Sequence, residues 1–235
     1  MTEPYRLLDL FSGIGGFSLG LERTGGFKTV AFCEIEDFPR RVLAKHWPEV
    51  PCYHDVRELT ADRLAADGIA VDAICGGFPC QPFSSASRGR RVAIDFWPEM
   101  YRLVSELRPR IVIAENVGWK PITRARADLE DLGYHSAIQQ TSASDLGADH
   151  RRNRWWLCAH PDLHGEFHGA LNAEVAHMSE MGRGVWERAE LARGFRVPDG
   201  LPDRVDRVEA LGNAVVPQIP ELIGRAILAA DRIAA

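Results

Sequence analysis

Short apolar runs alternating with amphipathic stretches constrain this chain most. Residues 5–10 (YRLLDL), 28–33 (KTVAFC), 71–75 (VDAIC) and 110–114 (RIVIA) read as buried strands. Such near-continuous apolar runs belong in sheets covered on both faces. A further strand is expected before Asp55, and two more at 134–141 and 154–159. The first two runs leave room for one helix between them, and a helix is expected from Asp37, with Phe38, Val42 and Trp47 near one face. Met100, Leu103, Val104 and Leu107 recur at i, i+3, i+4 and i+7, which predicts a helix over 97–107. Another is expected over 121–132. Strand–helix alternation of this kind predicts an α/β fold, a doubly wound, largely parallel Rossmann-like sheet.

The alternation stops at residue 159. Residues 160–204 have no sustained period and are rich in Gly, His and Arg, so they read as a small irregular lobe. Order returns in 205–235, where Ile219, Leu222, Ile223, Ala226 and Ile227 mark an amphipathic helix. The expected units are therefore 1–159, the lobe 160–204, and a return of 205–235 to the first unit. At 235 residues, 46% hydrophobic and 26% charged, the composition is that of a globular protein and excludes a disordered or coiled-coil chain. No apolar run reaches membrane-spanning length, and residues 1–13 carry no basic-then-apolar leader, so no membrane partner is expected. The five cysteines form no C-x-x-C pair and no zinc spacing with the eight histidines, which predicts free thiols in a reducing, cytoplasmic setting. The net charge of −5 weighs against nucleic acid, although 25 of the 28 basic residues are Arg, the side chain suited to forked contacts with phosphates and bases.

Four segments carry chemistry. Asp9-Leu10-Phe11-Ser12-Gly13-Ile14-Gly15-Gly16 follows the first strand, where glycines permit a tight turn and close approach of a ligand. Glu34 ends the second strand, 21 residues after Gly13, a separation that suits a carboxylate on a ribose diol. Position 18 is Ser, so G-x-G-x-x-G is not met and a nucleoside is favoured without a pyrophosphate. An unliganded glycine turn fits this segment alone. Gly76-Gly77-Phe78-Pro79-Cys80-Gln81-Pro82 follows the fourth strand and holds a thiol between two stiff prolines, as either a nucleophile or an inert turn. Glu115-Asn116-Val117 ends the fifth strand, beside the expected end of the fourth. A carboxyl enclosed there can be held protonated and act as an acid. His150-Arg151-Arg152-Asn153-Arg154 opens a later strand, in which Arg152 and Arg154 share a face.

Taken together and in order, these segments resemble the DNA (cytosine-5)-methyltransferase family. DLFSGIGGFSLG (9–20) is similar to its cofactor motif, GGFPCQPFS (76–84) to its catalytic loop, ENV (115–117) to its acid motif and HRRNR (150–154) to its arginine motif. LGNAVVPQ (211–218) is similar to its final motif, and Glu34 and Asp55 fall where the ribose and adenine acids lie. The resemblance covers nearly the whole chain except about 160–204.

The resemblance implies methyl transfer from S-adenosylmethionine to C5 of a cytosine flipped out of duplex DNA, with S-adenosylhomocysteine as product. Cys80 is the implied nucleophile, Glu115 the acid at N3 and the exocyclic amine, Arg154 the donor to O2, and Arg152 a support for the loop or a phosphate. Cofactor contacts are implied for Asp9, Phe11, Ser12, Gly13, Gly15, Gly16, Glu34, Asp55, Val56, Pro79, Asn213, Ala214 and Val215. DNA contacts are implied for Ser84, Arg88, Arg90 and Arg91, in a basic lid after Cys80, and for Arg183 and Arg196, in a reduced recognition lobe suited to a short site. No metal is expected despite His160, His164 and His168, and the protein is expected to act as a monomer in a bacterial cell or phage-infected host, in a restriction–modification or orphan setting. The rival readings are an RNA cytosine methyltransferase, a catalytically inactive DNA- or cofactor-binding homologue, and a thiol-dependent dehydrogenase. The RNA reading lacks the Cys-Phe-Thr element that such relatives carry.

Overall fold

The apolar runs occupy the middle of a sheet with helices on both faces. The computed structural model describes residues 3–82, 93–142, 153–161, 169 and 214–234. Along the chain these form β1 (Tyr5–Leu10), α1 (Gly16–Glu22), β2 (Phe27–Cys33), α2 (Asp37–His46), β3 (Cys52–Tyr53), α3 (Ala61–Ala66) and β4 (Ala73–Gly77). There follow β5 (Cys80–Pro82), β6 (Ala93–Asp95), α4 (Trp97–Leu107), β7 (Ile111–Asn116), α5 (Trp119–Asp131), β8 (His135–Ser142), β9 (Asn153–His160) and α6 (Gln218–Ala234). The main sheet has seven strands in the order β3-β2-β1-β4-β7-β9-β8. The strands β3, β2, β1, β4 and β7 run parallel to one another. The connections reverse direction between β1 and β4, the place where such sheets open a crevice at their carboxyl ends.

The one reversed strand decides the site. β9 inserts between β7 and β8 and runs antiparallel to both. Its first residues therefore lie at the carboxyl end of β7.

Alternation along β7 sends side chains to opposite faces. Ile111 and Ile113 pack with Phe17, Leu21, Trp156, Ile219 and Ile223 beneath α1 and α6. Val112 and Ala114 pack with Trp97, Met100, Leu103, Ile122 and Leu129 beneath α4 and α5. The expected strands and the 97–107 helix are present. On α2 the fully buried residues are Pro39 and Leu43, with Phe38 and Val42 half-buried at the flanks. α5 starts two residues before the expected 121, from a Gly118 N-cap. α3 and the β5–β6 pair were not expected, being too short to show a period. β4 runs through Gly76 and Gly77, read from sequence as the end of the strand, because both continue the ladder opposite Ala114 and Glu115. Apart from residues 160, 161 and 169, the expected lobe 160–204 lies outside the described residues.

The final segment returns to the first helix. Gly20 lies so close to the chain entering α6 that a methyl group there would overlap the Pro217 carbonyl oxygen. On an isolated helix, Gly→Ala stabilises by about 0.8–1 kcal/mol. Against α6 the sign reverses: Gly20→Ala is expected to destabilise by about 1–3 kcal/mol, the usual range for overpacking. Urea unfolding with an unchanged slope checks this, and a stabilised variant would contradict the packing.

Candidate active site

The glycine turn is built from beneath. Helix α1 has no side-chain cap at Gly15. Its third amide is satisfied by Asp9 on β1 instead, whose carboxylate accepts the Ser18 N–H at 3.3 Å and the Ser18 hydroxyl at 2.7 Å. Ser18 therefore faces inward, not toward a ligand. Asp9 is 0% exposed, so its side chain orders the turn rather than lining the crevice. Above it the backbone is left-handed at Phe11 (φ 52°), Gly13 (φ 52°) and Gly15 (φ 85°). Phe11 is a non-glycine residue in this conformation, the kind of local strain that surrounding structure must enforce. Ser12 donates to the Asp9 carbonyl at 2.5 Å and ties the turn back to β1.

The turn and Glu34 meet directly. The Gly13 N–H donates to Glu34 Oε2 at 2.7 Å, and the Glu36 N–H donates to Oε1 at 2.8 Å. The turn amide that would otherwise meet a phosphate is thus occupied by a carboxylate, which fits a nucleoside without pyrophosphate. Each Glu34 oxygen keeps a lone pair for a hydroxyl. Asp55 follows β3, where Arg57 beside it holds its carboxyl down at about 2. Arg102 on α4 donates to the Val56 and Leu59 carbonyls, both at 2.9 Å, and fixes the loop that carries Asp55. Val215, after the long connection, lies against Gly16 at the start of α1, with Ala214 beside it. Asn213 lies outside the described residues.

The loop after β4, Phe78–Cys80, is clamped at three backbone points. Asn116 donates to the Phe78 carbonyl at 2.9 Å. The Phe96 N–H donates to the Pro79 carbonyl at 3.0 Å. Cys80 pairs through its backbone with Asp95 in the β5–β6 ladder. The Phe78 ring packs on Trp97 at 5.2 Å, and the Trp97 indole donates to Asp128. The acid stands next to this loop. Glu115 pairs with Gly77 across β4–β7, and a methyl group on Gly77 would sit 2.9 Å from Glu115 Oε2. On the other side Arg154 Nε lies 2.7 Å from Glu115 Oε1. Glu115 is thus one half of an ion pair, where sequence reasoning allowed a protonated acid.

A model of the C-5 cytosine-specific DNA methylase family matches residues 5–181. The chain belongs to that family. Type II methyltransferase M.HgiBI of Herpetosiphon aurantiacus is 36% identical over 167 residues, covering 66% of this chain and 37% of that protein. Type II methyltransferase M.MspI of a Moraxella species is 27% identical over 226 residues, covering 88% of this chain and 52% of that protein. The chain therefore spans about half the length of these relatives or less. The solved structure of the S. pombe Dnmt2 methyltransferase is similar in fold, with a TM-score of 0.57 at 21% identity, over 69% of this chain and 52% of that one.

The structure thus gathers Phe11, Ser12, Gly13, Gly15, Gly16, Glu34, Asp55, Val56, Pro79, Ala214, Val215, Glu115 and Arg154 at the carboxyl edge of the cytosine-methylase sheet. Arg152, Ser84, Arg88, Arg90, Arg91, Arg183 and Arg196 lie outside the described residues. Sequence reasoning missed the supporting layer of Asn116, Phe96, Trp97 and Arg102. Among these, Asn116 had a visible signal, as the middle letter of ENV. Among the described residues no group of three or more metal-ligating side chains forms, and no helix is long and apolar enough to cross a membrane.

Burial pushes the Asp9 carboxyl up to about 7, against the lowering effect of its Ser18 bonds. The unfolded carboxyl titrates near its ordinary value of about 3.9. The folded state therefore holds an extra proton between about 4 and 7, and this part of the stability is lost as pH rises through that window. Asp9→Asn keeps an acceptor for Ser18. Thermal melts are expected to show a smaller stability loss from pH 5 to pH 8 in Asp9→Asn than in the unmodified protein. Equal slopes would contradict the assignment.

Proposed function

We propose that the protein transfers a methyl group from S-adenosylmethionine to C5 of cytosine in duplex DNA. The carrying observation is that the Glu115–Arg154 ion pair and the clamped Phe78-Pro79-Cys80 loop share one sheet edge with the Gly13–Glu34 nucleoside site. That edge fits the cofactor: Glu34 suits the ribose hydroxyls, Phe11 and Val56 the adenine faces, Asp55 its amine, and the glycine turn a chain without phosphate. S-adenosylmethionine, when bound, supplies a sulfonium methyl that C5 takes, leaving S-adenosylhomocysteine.

The chain's own residues make C5 reactive. The Cys80 thiolate adds to C6, forming an S–C6 bond and giving C5 enamine character. The Glu115 carboxylate accepts from the exocyclic amine and favours uptake of a solvent proton by N3 as negative charge develops there, accepting the N3–H once it forms. Arg154 keeps Glu115 aligned and offers its other N–H groups to O2. Water takes the C5 proton, the C5–C6 double bond re-forms as the S–C6 bond breaks, Cys80 leaves as thiolate, and N3 returns its proton to solvent. The flipped base comes from a duplex, which Arg152 and the basic residues Arg88, Arg90, Arg91, Arg183 and Arg196 meet with Ser84. Asn213 completes the cofactor pocket. We assign this activity to the cytoplasm of a bacterial or phage-infected cell.

Transfer of tritiated methyl groups tests the proposal. Label is expected in duplex DNA and not in transfer RNA. Cys80→Ala is expected to lower the rate more than about a thousandfold, and Glu115→Gln about a hundredfold or more. Label in transfer RNA alone would favour the RNA reading, and a Cys80→Ala variant with full activity would refute the mechanism.

A further inference from the structure

One cation behind the Phe78–Cys80 loop has no part in the chemistry above. Asp95 ends β6, where its backbone pairs with that of Cys80. Its carboxylate reaches two helices. Oδ1 accepts the Trp97 N–H at 3.0 Å, at the start of α4, and Oδ2 accepts from Arg124 on α5. Arg124 also lies beside Asp128, four residues on, with Nε 3.8 Å from Oδ2. Asp128 Oδ2 in turn accepts the Trp97 indole N–H at 2.6 Å. Asp95, Trp97, Asp128 and Arg124 thus close a ring of polar contacts. Trp97 is buried and held through both of its nitrogens, and its ring packs on Phe78. Helix α5 is rooted in the core by Ile122, Ala125 and Leu129. The ring therefore ties the Phe78–Cys80 loop to a fixed helix at two places: the Cys80 backbone through Asp95, and the Phe78 ring through Trp97.

We propose that Arg124 is a positioning residue for Cys80, acting through Asp95 and Asp128. The inference rests on the DNA-methylating reading of the same site. The ring holds two carboxylates and one guanidinium. Remove the guanidinium, and two like charges face one indole with no cation between them, so both gain by turning out to water. Trp97 then loses a partner at each nitrogen, and the loop loses both of its ties to α5. Arg124 is half-exposed, and exposed ion pairs add little to stability. Its effect is therefore on where the loop sits rather than on whether the chain folds. Attack on C6 needs the sulfur within a narrow range of distance and direction, and a misplacement of about 1 Å costs up to about a hundredfold in rate.

Single-turnover methylation of sheared genomic duplex DNA by the full chain, at saturating S-adenosylmethionine, tests the ring. Arg124→Gln is expected to lower the maximal rate about tenfold, a loss matching a displacement well under 1 Å. Its Kd for DNA and its calorimetric affinity for S-adenosylhomocysteine are expected to stay within about twofold of the unmodified protein, because the loss falls on the chemical step alone. Arg124→Lys keeps a cation for the single bond to Asp95 and is expected to recover most of the rate. Asp95→Asn is expected to cost about as much as Arg124→Gln, and the double variant no more than about twofold beyond either, since residues acting through one contact are not additive. An unchanged rate in Arg124→Gln overturns the inference while leaving methylation standing. A weaker Kd for DNA with an unchanged rate also overturns it, since Arg124 would then be a phosphate contact. Losses that multiply in the double variant overturn the route through Asp95. Unmodified protein that methylates no duplex DNA overturns both this inference and the reading beneath it.

Discussion

The ion pair between Glu115 and Arg154 is the contact on which the site depends. It exists because β9 runs against the strands beside it. In a wholly parallel sheet the first residues of β9 would lie at the amino edge, a full strand length from the carboxyl end of β7. Reversal puts Arg154 at that end, 2.7 Å from the carboxylate. On the opposite side Gly77 leaves just enough room for the same carboxylate. Glu115 is thus confined between a backbone without a side chain and a guanidinium, one way to hold a reactive group within a narrow range of positions. Asn116, the next residue, faces the other side of the sheet and ties down the Phe78 carbonyl. Two adjacent residues of one strand therefore meet Arg154 on one side and hold the Phe78–Cys80 loop on the other.

The glycine-turn half of the crevice follows the same logic of support from below. Asp9 lies under the turn and caps α1 through Ser18, while Glu34 closes the turn from above through Gly13. Each carboxylate satisfies amides that a short helix and a tight turn leave open. The final segment then packs Val215 and Pro217 against Gly16 and Gly20, so the end of the chain forms part of the crevice wall.

Much of this was legible in the sequence. The parallel strands are continuous apolar runs, and their ends carry the glycines and acids at recognisable spacing. The reversal of β9 was not legible, since a run such as RWWLCA fits either direction. The structural rather than ligand-facing role of Asp9 was also hidden, because its partner Ser18 lies nine residues away on α1 and only the fold brings them together. Gly77 looked like the end of a strand, yet it is a position of close approach. The clamp around Phe78 draws on Phe96 and Trp97 at the start of α4 and on Asn116 at the end of β7, and no local pattern announces such a contact.

The chemistry proposed for this edge of the sheet passes through a covalent adduct with cytosine. Duplex DNA carrying 5-fluorocytosine tests it most directly, because fluorine at C5 cannot leave as a proton does and the adduct is held. With S-adenosylmethionine present, denaturing electrophoresis and mass spectrometry are expected to show a protein–DNA species joined through Cys80, absent in Cys80→Ala. No adduct with the unmodified protein, or an adduct that survives loss of Cys80, would contradict the account.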